Sequence, residues 1–282
     1  MAMLIADIGG TSSRWVLLGA EGTDRTFDRL PGFNPATGVP EPLLQALRVS
    51  ELIGHAATVD RIVVYGAGCG NATRQERMRE ALAALWPTTV IEVNSDLLGA
   101  ARGLWGDHQG LVLILGTGMN AGYYDGATVR CPMPSLGYIL GDEGSGADLG
   151  KHLLRDLFQG TLPQAVQEVV FPEAPELGEV IEKLHRGTAP QAWMASFAGA
   201  LARLPEDPYT IDLVTERFTE LAVLIERFFL EAERRDVQAI GSVAHGFQDL
   251  LGPVLALHGM RLISAVQDPM AGLVAHHRRA PK

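Results

Sequence analysis

The chain has little cysteine, no long apolar run and no surplus of positive charge, and each shortage removes a class of function. Two cysteines, Cys69 and Cys131, in 282 residues can build neither a disulfide framework nor a four-cysteine zinc site. No apolar stretch approaches the roughly 18 residues needed to span a bilayer. The chain opens on a short apolar run rather than a signal peptide, so a cytoplasmic protein without membrane contact is expected. Lys and Arg number 23 against 33 Asp and Glu, a net charge of −10 with no polybasic run, which argues against nucleic acid as a partner. Three catalytic signatures are missing. Lys151 follows Gly150 but precedes His152, so there is no Gly-x-x-x-x-Gly-Lys-Ser/Thr phosphate loop, and neither His-Glu-x-x-His nor a Gly-x-Ser-x-Gly nucleophile elbow occurs. His276-His277 beside Arg278-Arg279 reads as a solvated helix end rather than a metal site. Disorder is also excluded, because 47% of the residues are hydrophobic and 20% charged, enough apolar surface for an ordinary core. A small-molecule partner fits what remains.

Glycine is abundant: 32 residues of 282, against roughly 7% in average usage. Its positions follow a strand and helix pattern. Residues 3–8 read as a buried strand ending at Gly9-Gly10, 12–18 as a second strand, Gly19-Ala20-Glu21-Gly22 as a turn and 24–30 as a third strand. Residues 31–42, with four prolines and Asn34, form a loop long enough to suspect a function,. A helix over 41–54, a strand over 61–65, a helix over 73–86, a strand over 89–93 and a helix over 96–104 follow. The opening then repeats, with a strand over 111–115, a Gly116-Thr117-Gly118 turn, a strand over 120–124, an Asp125-Gly126 hairpin and a strand over 127–131. The chain from 145 to 235 is mostly helical, and 209–235 carries an apolar face at helical spacing. Strands over 237–241 and 261–265 and a closing helix over 269–279 complete a duplicated α/β unit. The expected domains are 1–107 plus 267–282, and 108–266.

Five segments carry candidate chemistry. In Asp7-Ile8-Gly9-Gly10-Thr11, glycine amides and a threonine hydroxyl can approach an oxyanion while the carboxylate holds Mg²⁺; the alternative is a plain β-turn. Leu115-Gly116-Thr117-Gly118-Met119-Asn120 repeats the design in the second half, and a pair of such hairpins is much more specific than either one. Gly241-Ser242-Val243-Ala244 offers small residues against which a nucleoside could lie, or is only a tight strand-to-helix turn. Asn94-Ser95-Asp96 ends a strand and opens a helix, the place where open α/β sheets bind ligands. Asp96 there can accept a proton from a substrate hydroxyl, or Ser95 and Asp96 can cap the helix. Gly141-Asp142-Glu143-Gly144-Ser145-Gly146 can chelate sugar hydroxyls or a cation, or form a capping box from Ser145 and Asp148.

The first three of these segments together resemble the phosphate-1, phosphate-2 and adenosine motifs of the actin/hexokinase/Hsp70 superfamily. Within it, Tyr65-Gly66-Ala67-Gly68-Cys69, residues 94–101, 115–120 and 141–146 are similar to the BadF/BadG/BcrA/BcrD-type N-acetylglucosamine kinase group, in the family order and over nearly the whole chain. The resemblance implies two ribonuclease-H-like, actin-like ATPase domains with a nucleotide and sugar cleft between them, ATP and Mg²⁺ as cofactors, an amino sugar phosphorylated at its 6-hydroxyl, and a homodimer. It implies Asp96 as base and sugar ligand. Asp7, Gly9, Gly10, Thr11, Gly116, Thr117, Gly118, Gly241 and Ser242 would serve the nucleotide, with Asp7 at the metal. Asn34, Gly68, Thr117, Gly118, Asn120 and Asp142 would join Asp96 at the sugar. Leu136 and Met119 depart from the mammalian pattern of Trp and Ser on the sugar side.

Two rival readings follow from the same superfamily. Activator ATPases of acyl-CoA dehydratases use two cysteines per chain for an iron–sulfur cluster, and this chain has two, though neither sits in a cluster motif. A sugar-sensing regulator or an actin-like scaffold is the other. Its regulatory form carries an added helix-turn-helix domain, for which a first strand starting at residue 3 is expected to leave no room. ROK sugar kinases are disfavoured because their cysteine-rich zinc motif is missing.

Overall fold

The computed structural model describes residues 2–19 and 23–279; of the turn expected at 19–22, residues 20–22 lie outside the described residues. The chain divides into two compact units. The first takes in the described residues of Met1–Asp107, Gly126–Thr128 and Pro269–Lys282, the second His108–Asp125 and Val129–Asp268.

The first unit is built on β1 (Ala2–Ile8), β2 (Ser12–Leu18), β3 (Arg25–Pro31), β4 (Val59–Gly66) and β5 (Val90–Ser95), hydrogen-bonded in the order β3-β2-β1-β4-β5. The first three strands form an antiparallel meander, whereas β1, β4 and β5 run parallel. Alternation along β1 explains its two-sided burial. Leu4, Ala6 and Ile8 enter one core with Trp15, Met78 and Leu82, while Ile5 joins Val63, Tyr65, Met270 and Leu273 in another. Between the strands run α1 (Glu41–Val49), a 3₁₀ segment over Glu51–Thr58, and α2 (Ala72–Ala83), which Asn71 caps by accepting from the Arg74 amide. After β5 comes α3 (Asp96–Trp105), capped by Ser95.

The second unit repeats the plan with β6 (Gly110–Leu115), β7 (Met119–Tyr124), β8 (Val129–Arg130), β9 (Asp236–Ile240) and β10 (Arg261–Val266), ordered β10-β9-β6-β7-β8. Its helical insertion holds α4 (Gly137–Leu140), α5 (Gly146–Gln159), α6 (Gln164–Val170), α7 (Leu177–Arg186), α8 (Pro190–Leu201), α9 (Pro208–Phe228) and α10 (Glu231–Arg234). Then follow α11 (Ser242–Gly246), α12 (Gln248–Leu257) and, back in the first unit, α13 (Met270–Arg279). Leu111, Leu113 and Leu115 of β6 share one core with Leu153 of α5 and Phe218, Leu221 and Ile225 of α9. No helix among the described residues is long and apolar enough to cross a membrane.

Several boundaries differ from expectation, each for a local reason. The helix expected over 41–54 stops at Val49 and the chain passes into the 3₁₀ segment. The helix over 209–235 breaks where Phe229 and Leu230 turn extended, because Phe229 is drawn into the core. The strand over 127–131 shrinks to Val129–Arg130. His277 is half-buried rather than solvated, its Nε2 lying 2.9 Å from the Tyr65 hydroxyl. Some glycines outside the strand-end motifs serve helix packing. A Cβ on Gly150 of α5 would lie 2.0 Å from the Met194 carbonyl of α8, and one on Gly272 of α13 would lie 1.8 Å from the Gly103 carbonyl of α3. These positions let helix backbones touch.

Candidate active site

Within the first unit, the parallel strands β1, β4 and β5 end at one edge of the sheet, and the expected residues collect there. Asp7 stands opposite Arg14 on β2 and Tyr65 on β4. The turn after β1 closes through the Gly9 amide, which donates to Ser12 O at 2.9 Å, and Gly9 O accepts from the Phe33 amide at 3.1 Å. Gly10 faces open space, Thr11 is exposed, and the Thr11 hydroxyl has no hydrogen-bond partner among the described residues. The functional loop suspected over 31–42 thus lies against this turn: a Cβ on Gly32 would meet the Thr11 and Ser12 amides. Asn34, two residues on, accepts from the Ala36 amide at 2.8 Å through Oδ1, and that oxygen presses on Gly68 so closely that a Cβ there would be 2.0 Å away. Gly68 also has φ +75°, where a side chain is strained. Asn34 and Gly68 therefore form a single wall. Arg77 of α2 holds the loop from outside, donating to the carbonyls of Pro35 and Gly38 with its guanidinium 5.7 Å from the Phe33 ring centre.

Asp96 is the first residue of α3, and Gly66 and Ser95 pair across β4 and β5. Of the two duties weighed for this segment, the helix cap falls to Ser95. Ser95 Oγ accepts from the Leu98 amide at 3.2 Å and caps the helix. Asp96 does not cap the helix, and its Oδ1 accepts from the amide of its neighbour Leu97 at 2.8 Å. Burial pushes the Asp96 carboxyl up to about 6, outweighing the backbone amides of Leu97 and Asp96 that favour the charged form. A carboxyl poised there is suited to take a proton near neutral pH. The Cys69 thiol, buried near it, is pushed up to about 12 by desolvation and then by the Asp96 charge, which makes it inert.

In the second unit the Gly116-Thr117-Gly118 hairpin joins β6 to β7. Gly116 donates to Gly118 O at 3.0 Å, and the Thr117 hydroxyl has no partner among the described residues. The first turn of α5 sits on this hairpin, with the Gly146 amide donating to Gly116 O at 2.8 Å and the Ala147 amide to Thr117 O at 3.0 Å. Asp142 has a left-handed backbone, φ +64°, and its Oδ2 lies where a Gly118 Cβ would be 2.9 Å away. Burial raises the Asp142 carboxyl pKa, against the Met119 amide, and the neighbouring acids Glu143 and Asp148 raise it further. Gly241, at φ +121°, packs on the same hairpin, since a Cβ there would meet Leu115 O at 2.4 Å. Ser242 opens α11 beside it, and Asn120 lies on β7 opposite Ile114. The structure thus brings Gly116, Thr117, Gly118, Asp142 and Gly241 together in this unit, and Asp7, Gly9, Gly10, Thr11, Asn34, Gly68 and Asp96 to one sheet edge in the other.

Two residues of consequence were missed in these roles: the sequence offers Asp148 only as a capping-box partner of Ser145, and Arg217 carried no motif. Asp148 Oδ2 accepts from Arg217 Nε at 2.8 Å and from the Gly144 amide at 3.0 Å, both side chains being buried. The spacing of Arg217 within the apolar stripe of Val214, Phe218, Leu221 and Ile225 was the available signal, because a buried arginine demands a partner.

No family model matches the sequence, and no curated protein matches it. Among solved structures, the "Putative N-acetylglucosamine Kinase" of Porphyromonas gingivalis is 34% identical and superposes with a TM-score of 0.89 over 99% of each chain. This chain belongs to the same family. Its fold is the two-domain, actin-like ATPase fold of sugar kinases, with one five-stranded mixed sheet in each unit. The "Putative N-acetylglucosamine Kinase" of Chromobacterium violaceum shares that fold at 18% identity, with a TM-score of 0.62 over 98% of each chain. The ROK family glucokinase of Streptomyces griseus, solved with glucose and AMPPNP, shares it at 17% identity, with a TM-score of 0.61 over 98% of each chain.

Proposed function

We propose that the protein is an ATP-dependent sugar kinase of the BadF/BadG/BcrA/BcrD type that phosphorylates the 6-hydroxyl of an amino sugar, N-acetylglucosamine first among the candidates. The observation that carries this reading is Asp96: an isolated carboxyl with pKa about 6, at the strand end where such folds hold their acceptor, in a relative of a protein described as an N-acetylglucosamine kinase.

Phosphoryl transfer needs positioning and charge stabilisation more than covalent help. Asp96 accepts the proton of the acceptor hydroxyl on Oδ2, the oxygen that Leu97 does not engage. The Thr11 and Thr117 hydroxyls and the turns around Gly10 and Gly118 supply the phosphate donors. Because the Gly9 and Gly116 amides are spent inside their own turns, they shape these turns rather than bind. Asn34 presents its amide nitrogen to the acceptor, its oxygen being held by Ala36, and Asn120 and Asp142 bind further hydroxyls. Gly241 and Ser242 leave room for the nucleoside. Asp7 fits Mg²⁺, an ion that takes one or two carboxylates and the phosphates it accompanies, and that supplies positive charge to the transferring group when bound. The acyl-CoA dehydratase activator fits less well, since a cluster shared between subunits needs cysteines at the surface and Cys69 is buried in the first unit.

The test is sugar-dependent ADP release with a panel of N-acetylglucosamine, glucosamine, N-acetylmuramic acid and glucose, run on the wild type and on Asp96→Asn. The wild type should turn over N-acetylglucosamine fastest. Asp96→Asn should lose about 10²- to 10⁴-fold in kcat while binding a fluorescent ATP analogue normally. ADP release indifferent to every sugar would refute a kinase, and full turnover by the variant would remove the base.

A further inference from the structure

The loop that carries Asp142 is gripped from below by a buried network that the proposed chemistry does not use. Asp148 and Arg217 have side chains only 2% and 6% exposed. Asp148 Oδ2 accepts from both Arg217 Nε and the Gly144 amide, and its other oxygen meets Lys151 Nζ at 3.1 Å. Arg217 turns its remaining nitrogens to Glu220. Ser145 Oγ accepts from the Asp148 amide at 3.3 Å, and the Ser145 amide donates to Asp142 O at 3.0 Å. One residue further, the α5 amides of Gly146 and Ala147 reach the Gly116 and Thr117 carbonyls. Hydrogen bonds joined through the backbone of residues 144–148 therefore connect Arg217 on α9 to Asp142 and to the Gly116–Gly118 hairpin.

Helix capping alone does not account for this arrangement. Ser145 already serves the first turn of α5, and a cap needs no buried arginine. Replacing a buried ion pair by apolar side chains of similar volume is often neutral or stabilising, so core stability does not account for it either. What the pair supplies is a fixed geometry. Asp142 has a left-handed backbone that non-glycine residues seldom adopt,, and its carboxylate is wedged against Gly118; both need holding from outside.

We propose that Asp148 and Arg217 are positioning residues for the acceptor, locking the 141–146 loop so that Asp142 and Thr117 are presented in one arrangement. The inference rests on the reading that Asp142 binds the acceptor. The experiment is a double-mutant cycle on full-length protein with Arg217→Met and Asp142→Asn, using N-acetylglucosamine as the probe, together with amide hydrogen exchange of residues 144–147. Arg217→Met should raise the acceptor KM about tenfold with a smaller change in kcat, and speed exchange at Gly144, Gly146 and Ala147 by at least about tenfold. The double variant should be no worse than the poorer single one, since residues acting through one another are not additive. Arg217→Lys keeps the charge but not the fork to Asp148 and Glu220; it should restore part of the loss, and it carries the same cycle if Arg217→Met does not fold. Additive effects on the acceptor KM, or wild-type exchange in the Arg217 variants, would overturn the proposal. If Asp142→Asn leaves the acceptor KM unchanged, the reading of Asp142 fails, and the exchange rates alone then decide whether the pair positions the loop.

Discussion

Asp96 shows how a single carboxyl is tuned by where the chain puts it. Part of its surface is accessible, and it stands at the start of a helix, where the dipole and the Leu97 amide favour the charged form. Desolvation nonetheless wins and raises its pKa from 3.8 to about 6. A folded-state pKa above the unfolded one means that the folded protein holds the proton more tightly. This contribution to stability is fully present below about pH 4 and is lost as pH rises through 6. Asp96→Asn, which removes the charge and keeps the shape, should therefore be more stable than the wild type at pH 7 by up to about 3 kcal/mol, the gap closing near pH 4. Urea unfolding at the two pH values measures it, and a gap independent of pH would refute the assignment of the shift to Asp96. The proposed base role adds an acid limb near pH 6 to the wild-type rate profile. At this scale Asp96 and Asp142 could be singled out as candidates because a strand end and glycine-flanked acids are visible in the sequence, whereas Gly68 entered only through the family resemblance. The Asp148–Arg217 pair was not legible, because it joins residues 69 positions apart, and Asp148 alone reads only as a capping-box residue.

At the scale of elements, the glycine surplus divides into two uses. Gly9, Gly10, Gly116, Gly118 and Gly241 shape turns at strand ends, whereas Gly103, Gly150 and Gly272 let helices approach until backbones touch. Only the first use shows as a motif, since a glycine inside a helical pattern looks the same whether it faces solvent or another helix. The distinction is testable. In Gly272→Ala the new methyl would meet a backbone carbonyl 1.8 Å away, which no rotamer can relieve, so α3 and α13 must part; a loss of about 1–3 kcal/mol is expected. Gly178→Ala, with nothing within 4 Å, should instead stabilise by about 0.5–1 kcal/mol. Shifts of the urea midpoint in one direction for both variants would refute the packing role of Gly272. Strands β1, β6 and β9 fell where apolar, β-branched runs put them, while the ends of α1 and α9 moved by several residues because tertiary burial of Phe229 and the 3₁₀ turn outweighed helix propensity.

At the scale of the whole molecule, an acidic chain with net charge −10 is proposed to bind a polyphosphate, which it can do only if hydroxyls, backbone dipoles and a cation replace lysine and arginine. Chelation of Mg²⁺ with EDTA should accordingly abolish sugar-dependent ADP release, and added Mg²⁺ should restore it. Turnover that survives chelation would count against this distribution of charge. Composition and pattern by themselves determined the α/β class, the duplicated strand–turn–strand opening and the order of the glycine motifs, because these depend on short-range periodicity and on the conformational freedom of glycine. Only the tertiary structure decided which glycines shape turns and which pack helices, that Ser95 rather than Asp96 caps α3, and that Arg217 pairs with Asp148 beneath the Asp142 loop. Those outcomes depend on burial and on contacts between residues far apart in sequence, and neither desolvation nor a buried ion pair exists until the chain has packed.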